Sequence, residues 1–306
     1  MFDRQRYGKI LVPLVTPFAE DQSLDLRRAR ALVRYLVDSN NADSLVLTGT
    51  TGEFHTMTFD ERVRVFELVH TEFCAEIPAI AGVGCASTIE TIALAKKAEQ
   101  IGFDTIMVVA PYYAKPNQRE LYDHFRAVSE AVSLNIMLYN IPIFTGVNID
   151  PDTVASLSKL RNIVAIKEEA ELNPKQISAF LNATPDDFIA YNGDDTMILE
   201  AYAQGGAERI GGVISGASHL LGKRIREMIE TFLAGDISVA AKEQQRLLPV
   251  FRVMGQNNRT NPVALWKEGL RLAGVDAGVP RLPLSRGTKD EIAEIRRVFD
   301  SLSLLS

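Results

Sequence analysis

The chain has 306 residues, of which 46% are hydrophobic and 24% are charged, and its formal net charge at pH 7 is −6. This composition is typical of a globular protein with a large core, and the negative charge argues against nucleic acid or an anionic membrane as a partner. No run of about eighteen apolar residues occurs, so no segment is predicted to span a membrane. The two cysteines, Cys74 and Cys85, are too few for a disulfide framework, and we expect a reducing, cytoplasmic setting.

Short apolar runs of strand length recur through the first 216 residues and alternate with segments of helical period. One such helical segment is 87–102, in which Ser87 and Glu90 stand at capping-box positions and Gly102 marks the end. The apolar runs lie at residues 9–18, 43–49, 77–84, 104–111, 134–142, 162–169, 187–194 and 209–216.

Eight buried strands that alternate with helices predict a (β/α)8 TIM barrel. A doubly wound open sheet is the alternative, but no G-x-G-x-x-G fingerprint follows the first strand. We therefore predict an α/β fold with a barrel in residues 1–220, and the last barrel helix plus a C-terminal helical extension in residues 221–306, within the same domain. The helical patterns of this last part lie at 217–233, 236–253, 262–273 and 287–303.

Functional side chains of such a barrel gather at the carboxyl ends of its strands. Lys167 ends the apolar run of the sixth strand, and Tyr139 holds the corresponding place on the fifth. Because burial disfavours a charged amine, we expect Lys167 to attack a ketone and form a Schiff base. A neighbouring tyrosine can move the protons that this chemistry requires. In "GTTGE", the amides and hydroxyls of Thr50 and Thr51 can hold a small carboxylate.

Each of these residues also has an ordinary structural explanation. A lysine at a strand end is usually a surface cation, and a buried tyrosine usually serves packing. Their joint occurrence at neighbouring strand ends favours catalysis. The four histidines are scattered and give no metal-ligand spacing, so we predict no metal site.

The motifs "GTTGE", "PYY", "YNIP", "IKE", "GDD" and "GVIS" occur here in an order and spacing that resemble those of the dihydrodipicolinate synthase / N-acetylneuraminate lyase superfamily. The resemblance runs from about residue 9 to the last helix, and the synthase branch is the most similar. It implies a pyruvate-dependent class I aldolase on a (β/α)8 barrel, with no metal or organic cofactor. It also implies condensation of pyruvate with an aldehyde, of which aspartate semialdehyde in lysine biosynthesis is the nearest named case.

The resemblance implies roles for several residues at the predicted mouth. Lys167 matches the lysine that forms the Schiff base with pyruvate, and Tyr139 matches the tyrosine that moves protons to and from the adduct. Thr50 and Thr51 match the pair that holds the pyruvate carboxylate, and Thr50 also belongs to the proton relay. Gly49, which precedes this pair, belongs to the same implied substrate-binding loop.

Two further positions are implied by the resemblance. Ile214 matches a backbone contact near the pyruvate. Tyr113 matches a tyrosine that reaches into the site of a neighbouring subunit, which implies a tight dimer and, for this family, a homotetramer built as a dimer of dimers.

Phe144 and Glu169 depart from the synthase pattern. Phe144 stands where the synthases carry an arginine for the carboxylate of aspartate semialdehyde, and Glu169 stands where a small or hydroxyl residue is usual. If Glu169 points into the mouth, it repels an anionic second substrate; alternatively it is exposed or paired with Lys115 or Arg259. An aldolase, hydratase-aldolase or sugar-acid lyase that releases pyruvate from another 2-keto acid is therefore the second hypothesis, and a non-catalytic keto-acid sensor is the third.

Overall fold

Eight parallel strands form a closed barrel in the computed structural model, which describes residues 3–169 and 173–305. Each strand pairs with its neighbours in chain order, and the eighth pairs with the first. Nearly every strand residue is buried, as expected for a sheet covered on both faces. The strands are β1 (Ile10–Pro13), β2 (Ser44–Leu47), β3 (Ala79–Gly82), β4 (Thr105–Val109), β5 (Asn135–Asn140), β6 (Ile163–Glu168), β7 (Ile189–Asn192) and β8 (Ile210–Ile214).

Helices surround the barrel and continue beyond its last strand. Several begin at a reciprocal capping box, for example Thr58 with Glu61 and Thr288 with Glu291. The helices of the described residues are α1 (Arg4–Tyr7), α2 (Leu26–Asp38), α3 (Phe59–Phe73), α4 (Thr88–Ile101), α5 (Gln118–Ala131), α6 (Pro142–Thr145), α7 (Pro151–Leu157), α8 (Gln176–Ala183), α9 (Ile198–Arg209), α10 (Ser218–Leu233), α11 (Ile237–Val253), α12 (Val263–Leu272) and α13 (Lys289–Ser301), with short 3-10 turns at Phe54–Thr56, Asp195–Met197 and Gln256–Asn258.

The predicted TIM barrel is confirmed, and every apolar run contains one strand. Each strand is shorter than its run; after β1, for example, Leu14, Val15 and Phe18 are buried in the loop that follows the strand. Ser87 accepts the N–H of Glu90 at the start of α4, and Gly102 ends that helix in the left-handed conformation. The four C-terminal helices lie within two residues of their predicted bounds.

Two apolar clusters stabilise this arrangement. Inside the barrel, Leu11, Val46 and Met137 belong to one cluster. A larger cluster lies between the sheet and the helices, and it continues without a break into α12 and α13. Within the described ranges, no helix combines the length and the apolar character that crossing a bilayer requires.

Candidate active site

A cavity of about 480 Å³ opens at the carboxyl ends of the strands. Side chains from the ends of β5, β6, β7 and β8 form one side of it, and the segment before α12 forms the other. Its lining includes the predicted residues Thr50, Thr51, Tyr139, Phe144, Lys167, Glu169 and Ile214.

Lys167 and Tyr139 lie side by side at the floor of this cavity. They are direct partners in the ladder between β5 and β6, and the Lys167 Nζ is 4.2 Å from the centroid of the Tyr139 ring. Both side chains are buried. Burial raises the pKa of the Tyr139 hydroxyl, although the neighbouring Lys167 acts in the opposite direction. The pair therefore places an amine and a phenol next to each other in a site of restricted water access.

The loop that follows β2 brings a hydroxyl to the same place. Thr50 Oγ1 donates a hydrogen bond of 3.5 Å to the Tyr139 hydroxyl oxygen, and Thr51 lines the cavity beside it. Gly49 is buried beneath them. Thr48 and Glu53 flank the loop in the left-handed region, with φ values of 45° and 56°. Lys167, Tyr139, Thr50 and Thr51, predicted from separate motifs, thus meet at one site.

The direction of Glu169 follows from the alternation of side chains along β6. Glu168 points away from the cavity, where the amides of Asn140 and Gln176 donate to its carboxylate at 2.9 and 3.1 Å. Lys167 and Glu169 both point toward Gly193, since a Cβ built on this glycine would lie 2.7 Å from Lys167 Cε and 2.9 Å from Glu169 Oε2. Glu169 therefore faces the mouth.

Acidic groups surround the lysine in this part of the cavity. Burial raises the pKa of Glu169 well above its ordinary value; Lys167 opposes this shift, while Asp194 and Asp195 add to it. Burial also raises the pKa of Asp195 to about 6, although that carboxylate accepts the backbone N–H of Ala217 at 3.0 Å. Burial therefore makes Glu169 and Asp195 weaker acids than exposed carboxyl groups.

Neither cation suggested as a partner of Glu169 pairs with it in the part of the chain that the structure describes. The Arg259 guanidinium lines the cavity, but its Nε and Nη2 donate to Glu291 at 2.8 and 3.0 Å and its remaining bonds go to backbone carbonyls. The Lys115 side chain packs against Gly146, outside the cavity. The proposed pairing of Glu169 with either residue is therefore wrong.

Tyr113 is the one predicted catalytic residue that lies away from the cavity. Its side chain is 95% exposed, and its φ of 73° is unusual for a bulky residue. A second cavity of about 270 Å³, mostly apolar, adjoins the first at Thr50, Ile141 and Phe144. Within one chain, Tyr113 therefore makes no contribution to the site around Lys167.

Sequence reasoning missed the wall of the cavity opposite the strands. This wall consists of residues that lie far from the motifs in sequence and reach the mouth only through the tertiary fold, and no local pattern marks them. They include Gly255, Asn258, Thr260, Asn261, Pro262 and Trp266. Among residues 3–169 and 173–305, no three His, Cys, Asp or Glu side chains are grouped so that they could hold a metal ion.

A (β/α)8 barrel with a buried lysine and tyrosine paired at its mouth has the architecture of a lyase that works through a Schiff base, a class I aldolase. Comparison with known proteins supports this class. The sequence profile of the Dihydrodipicolinate synthetase family matches residues 6–301, and the chain belongs to this family.

Two relatives are named 4-hydroxy-tetrahydrodipicolinate synthase. The one from Desulforamulus reducens is 42% identical over 98% of this chain and 98% of its own length, and the one from Desulforudis audaxviator is 43% identical over 98% and 99%. Among solved structures, dihydrodipicolinate synthase from Bacillus anthracis is 39% identical with a TM-score of 0.90, and covers 98% of this chain and 99% of its own.

Proposed function

We propose that this enzyme condenses pyruvate with aspartate semialdehyde, the reaction of a 4-hydroxy-tetrahydrodipicolinate synthase. The observation that carries the proposal is the contact between Lys167 and Tyr139 at the barrel mouth, with Thr50 in hydrogen-bonding range of the tyrosine. The names of relatives that share about 40% of their residues with this chain support the choice of reaction.

The proposed chemistry begins at the Lys167 amine. Its nitrogen attacks the keto carbon of pyruvate, and loss of water leaves an iminium that draws electrons from the adjacent methyl group. Removal of a methyl proton gives an enamine, whose carbon attacks the aldehyde; the new alkoxide takes up a proton. Tyr139 and Thr50 carry these protons. Thr51, with Thr50, donates hydrogen bonds to the pyruvate carboxylate, and the Ile214 backbone contacts the bound keto acid, with Gly49 in the same substrate-binding loop.

Tyr113 enters this relay from a second copy of the chain. Its exposed position leaves the side chain available to a second copy, and its left-handed φ of 73° is a backbone strain of the kind that clusters at functional sites. The apolar cavity beside Thr50 offers the space that such a side chain needs. We infer a tight dimer for this reason, and a homotetramer as a pair of such dimers. Both cysteines are free thiols, which supports a cytoplasmic location.

Reduction by borohydride tests the first step. Wild-type protein treated with pyruvate and borohydride should gain one reduced pyruvate adduct on Lys167, detected by peptide mass spectrometry. Lys167→Ala should remain unlabelled, whereas the exposed Lys159→Ala should label like the wild type. Persistent labelling of Lys167→Ala would contradict the assignment.

Turnover with aspartate semialdehyde, followed by coupled reduction of the cyclic product, tests the second step. A rate comparable with the relatives' would support the synthase reaction. Labelling without that turnover would favour the second candidate, an aldolase, hydratase-aldolase or lyase whose aldehyde is uncharged or hydroxylated. Phe144 and Glu169 favour this second candidate, since both line the cavity and neither can bind a carboxylate as an arginine does. Labelling without turnover of any aldehyde would indicate a keto-acid sensor.

A further inference from the structure

A buried ion pair joins the C-terminal extension to the loop after β2. Lys267 of α12 places its Nζ 2.5 Å from Glu53 Oε1, and the two side chains are 1% and 0% exposed. Burial of two charges is unfavourable unless they are paired and fully hydrogen-bonded. This pair lies outside the cavity and takes no part in the chemistry proposed above.

Every polar atom of the pair has a partner from a different part of the chain. Lys267 Nζ also donates to the backbone carbonyls of Thr16 at 2.7 Å and Val279 at 2.8 Å, which uses all three donors of the ammonium group. Glu53 Oε2 accepts the backbone N–H of Arg281 at 2.8 Å. The pair thus fixes the loop after β1, the loop after β2 and the segment after α12 to one another.

Glu53 is the last residue of the loop that carries Thr50 and Thr51. Its φ of 56° is in the left-handed region, which is unfavourable for a residue with a side chain, so the surrounding contacts must hold it there. Its backbone N–H donates to the Thr50 carbonyl at 3.0 Å. A shift of Glu53 is therefore transmitted to Thr50 through the backbone.

We propose that Lys267 is a positioning residue for the pyruvate site: through Glu53 it fixes the backbone of the Thr50–Thr51 loop, so that the C-terminal extension sets the affinity for the pyruvate carboxylate. The inference rests on the proposed function, because it takes this loop as the carboxylate-binding element. Lys267 acts without touching the substrate, and its effect falls on pyruvate binding while the amine of Lys167 remains in place.

Lys267→Met tests this inference, because methionine keeps most of the apolar length and removes the charge. The measured quantity is the pyruvate concentration that gives half-maximal borohydride labelling of Lys167. We expect it to rise about tenfold or more, because a displaced Thr50–Thr51 loop loses roughly one charge-assisted hydrogen bond to the pyruvate carboxylate. Labelling at saturating pyruvate should still reach completion, and KM for pyruvate should rise more than kcat falls.

Two control variants on the same helix separate positioning from stability. Leu270→Ala removes a fully buried side chain of α12 and lowers stability without touching the loop, and Arg271→Met removes an exposed cation. Both should leave the half-maximal pyruvate concentration at the wild-type value. If Leu270→Ala raises it as much as Lys267→Met does, the role of Lys267 is structural and the inference is overturned.

Glu53→Gln tests the same inference if Lys267→Met does not fold. Glutamine retains an oxygen for the Arg281 N–H but removes the charge that faces Lys267. We expect a rise of several-fold in the half-maximal pyruvate concentration, and an unchanged value would overturn the inference. Failure of the proposed function is distinguishable from either result, since wild-type protein itself would then not be labelled by pyruvate.

Discussion

Lys167 and Tyr139 occupy paired positions on adjacent strands, and the amine lies 4.2 Å from the centre of the phenol ring. Neighbouring parallel strands hold these positions at the same height in the barrel, and the hydrogen-bond ladder between β5 and β6 fixes their spacing. The alignment is therefore a property of the rigid sheet and needs no loop to close over it.

Tyr139→Phe removes the phenolic hydroxyl and leaves the ring against Lys167. If Tyr139 moves the protons, kcat should fall by about 10²–10⁴-fold, the usual contribution of a positioned acid–base group. The slow variant should still accumulate the borohydride-reduced adduct on prolonged incubation. Tyr191→Phe, on the strand at the other side of Lys167, is the matched control and should keep a rate near that of the wild type.

A mixture of two inactive variants tests the transfer of Tyr113 between subunits. Tyr113→Phe subunits keep Lys167 but lack the hydroxyl, and Lys167→Ala subunits keep the hydroxyl but lack the amine. Hybrids formed by unfolding and refolding the two together should be more active than either parent, because one site in each hybrid dimer has both groups. Activity equal to the average of the parents would show that Tyr113 does not act across an interface.

Phe144→Arg tests the basis of aldehyde selection. Phe144 is 38% exposed at the cavity wall, so an arginine fits there without displacing the core. We expect kcat/KM for aspartate semialdehyde to rise by about tenfold, since one charge-assisted hydrogen bond to a carboxylate contributes roughly 1.5–3 kcal/mol before its desolvation cost. Phe144→Leu controls for loss of the ring, and no difference between the two variants would contradict this account of the site.

Acid should destabilise the wall of the cavity through Glu291. Hydrogen bonds from Arg259 lower the pKa of this carboxyl from its ordinary 4.5 to about 2. The folded state thus binds the proton more weakly than the unfolded state, and the stabilisation is present above pH 4.5 and lost as the pH falls toward 2. Urea denaturation should show that Glu291→Gln loses stability at pH 7 and little at pH 2.5.

The control for this measurement lies on the same helix. Glu294 forms a largely exposed ion pair with Arg297, and such pairs contribute little to stability. Glu294→Gln should therefore match the wild type at both pH values. An equal loss for Glu291→Gln at pH 7 and at pH 2.5 would contradict the assigned role of the carboxylate.

We also propose that residues 1–220 and 221–306 unfold as one domain. A single apolar cluster crosses the boundary, and Lys267 bonds directly to Thr16 and Glu53. The chain has one tryptophan, Trp266, which lies in the extension. Its fluorescence and the far-UV circular dichroism of the whole chain should therefore report the same denaturation midpoint. Two separated midpoints would show independent domains.

The barrel could be predicted from the sequence because each of its strands is buried on both faces and reads as a short apolar run between helices. The position of the site then followed, since parallel strands of a barrel end at a common mouth. Lys167 was recognisable because a charged residue interrupts such a run. Both signals, the buried apolar run and the charge that interrupts it, are visible within a few residues of sequence.

Other parts of the site depend on tertiary structure. The direction of Glu169 required knowledge of where the alternation along β6 begins, because a shift of one residue reverses it. The wall formed by Asn258 and Trp266 required the path by which the extension returns to the mouth. The sequence also suggested Arg259 as a partner of Glu169, and only the structure revealed that Arg259 pairs with Glu291.

The return of the C-terminal extension to the barrel mouth determines the order in which the parts of the site are translated. A ribosome completes β8 at Ile214 before it reaches Asn261, so the strands with Lys167 and Tyr139 emerge before the opposite wall exists. The wall of the cavity opposite the strands is thus the last part of the site to be translated.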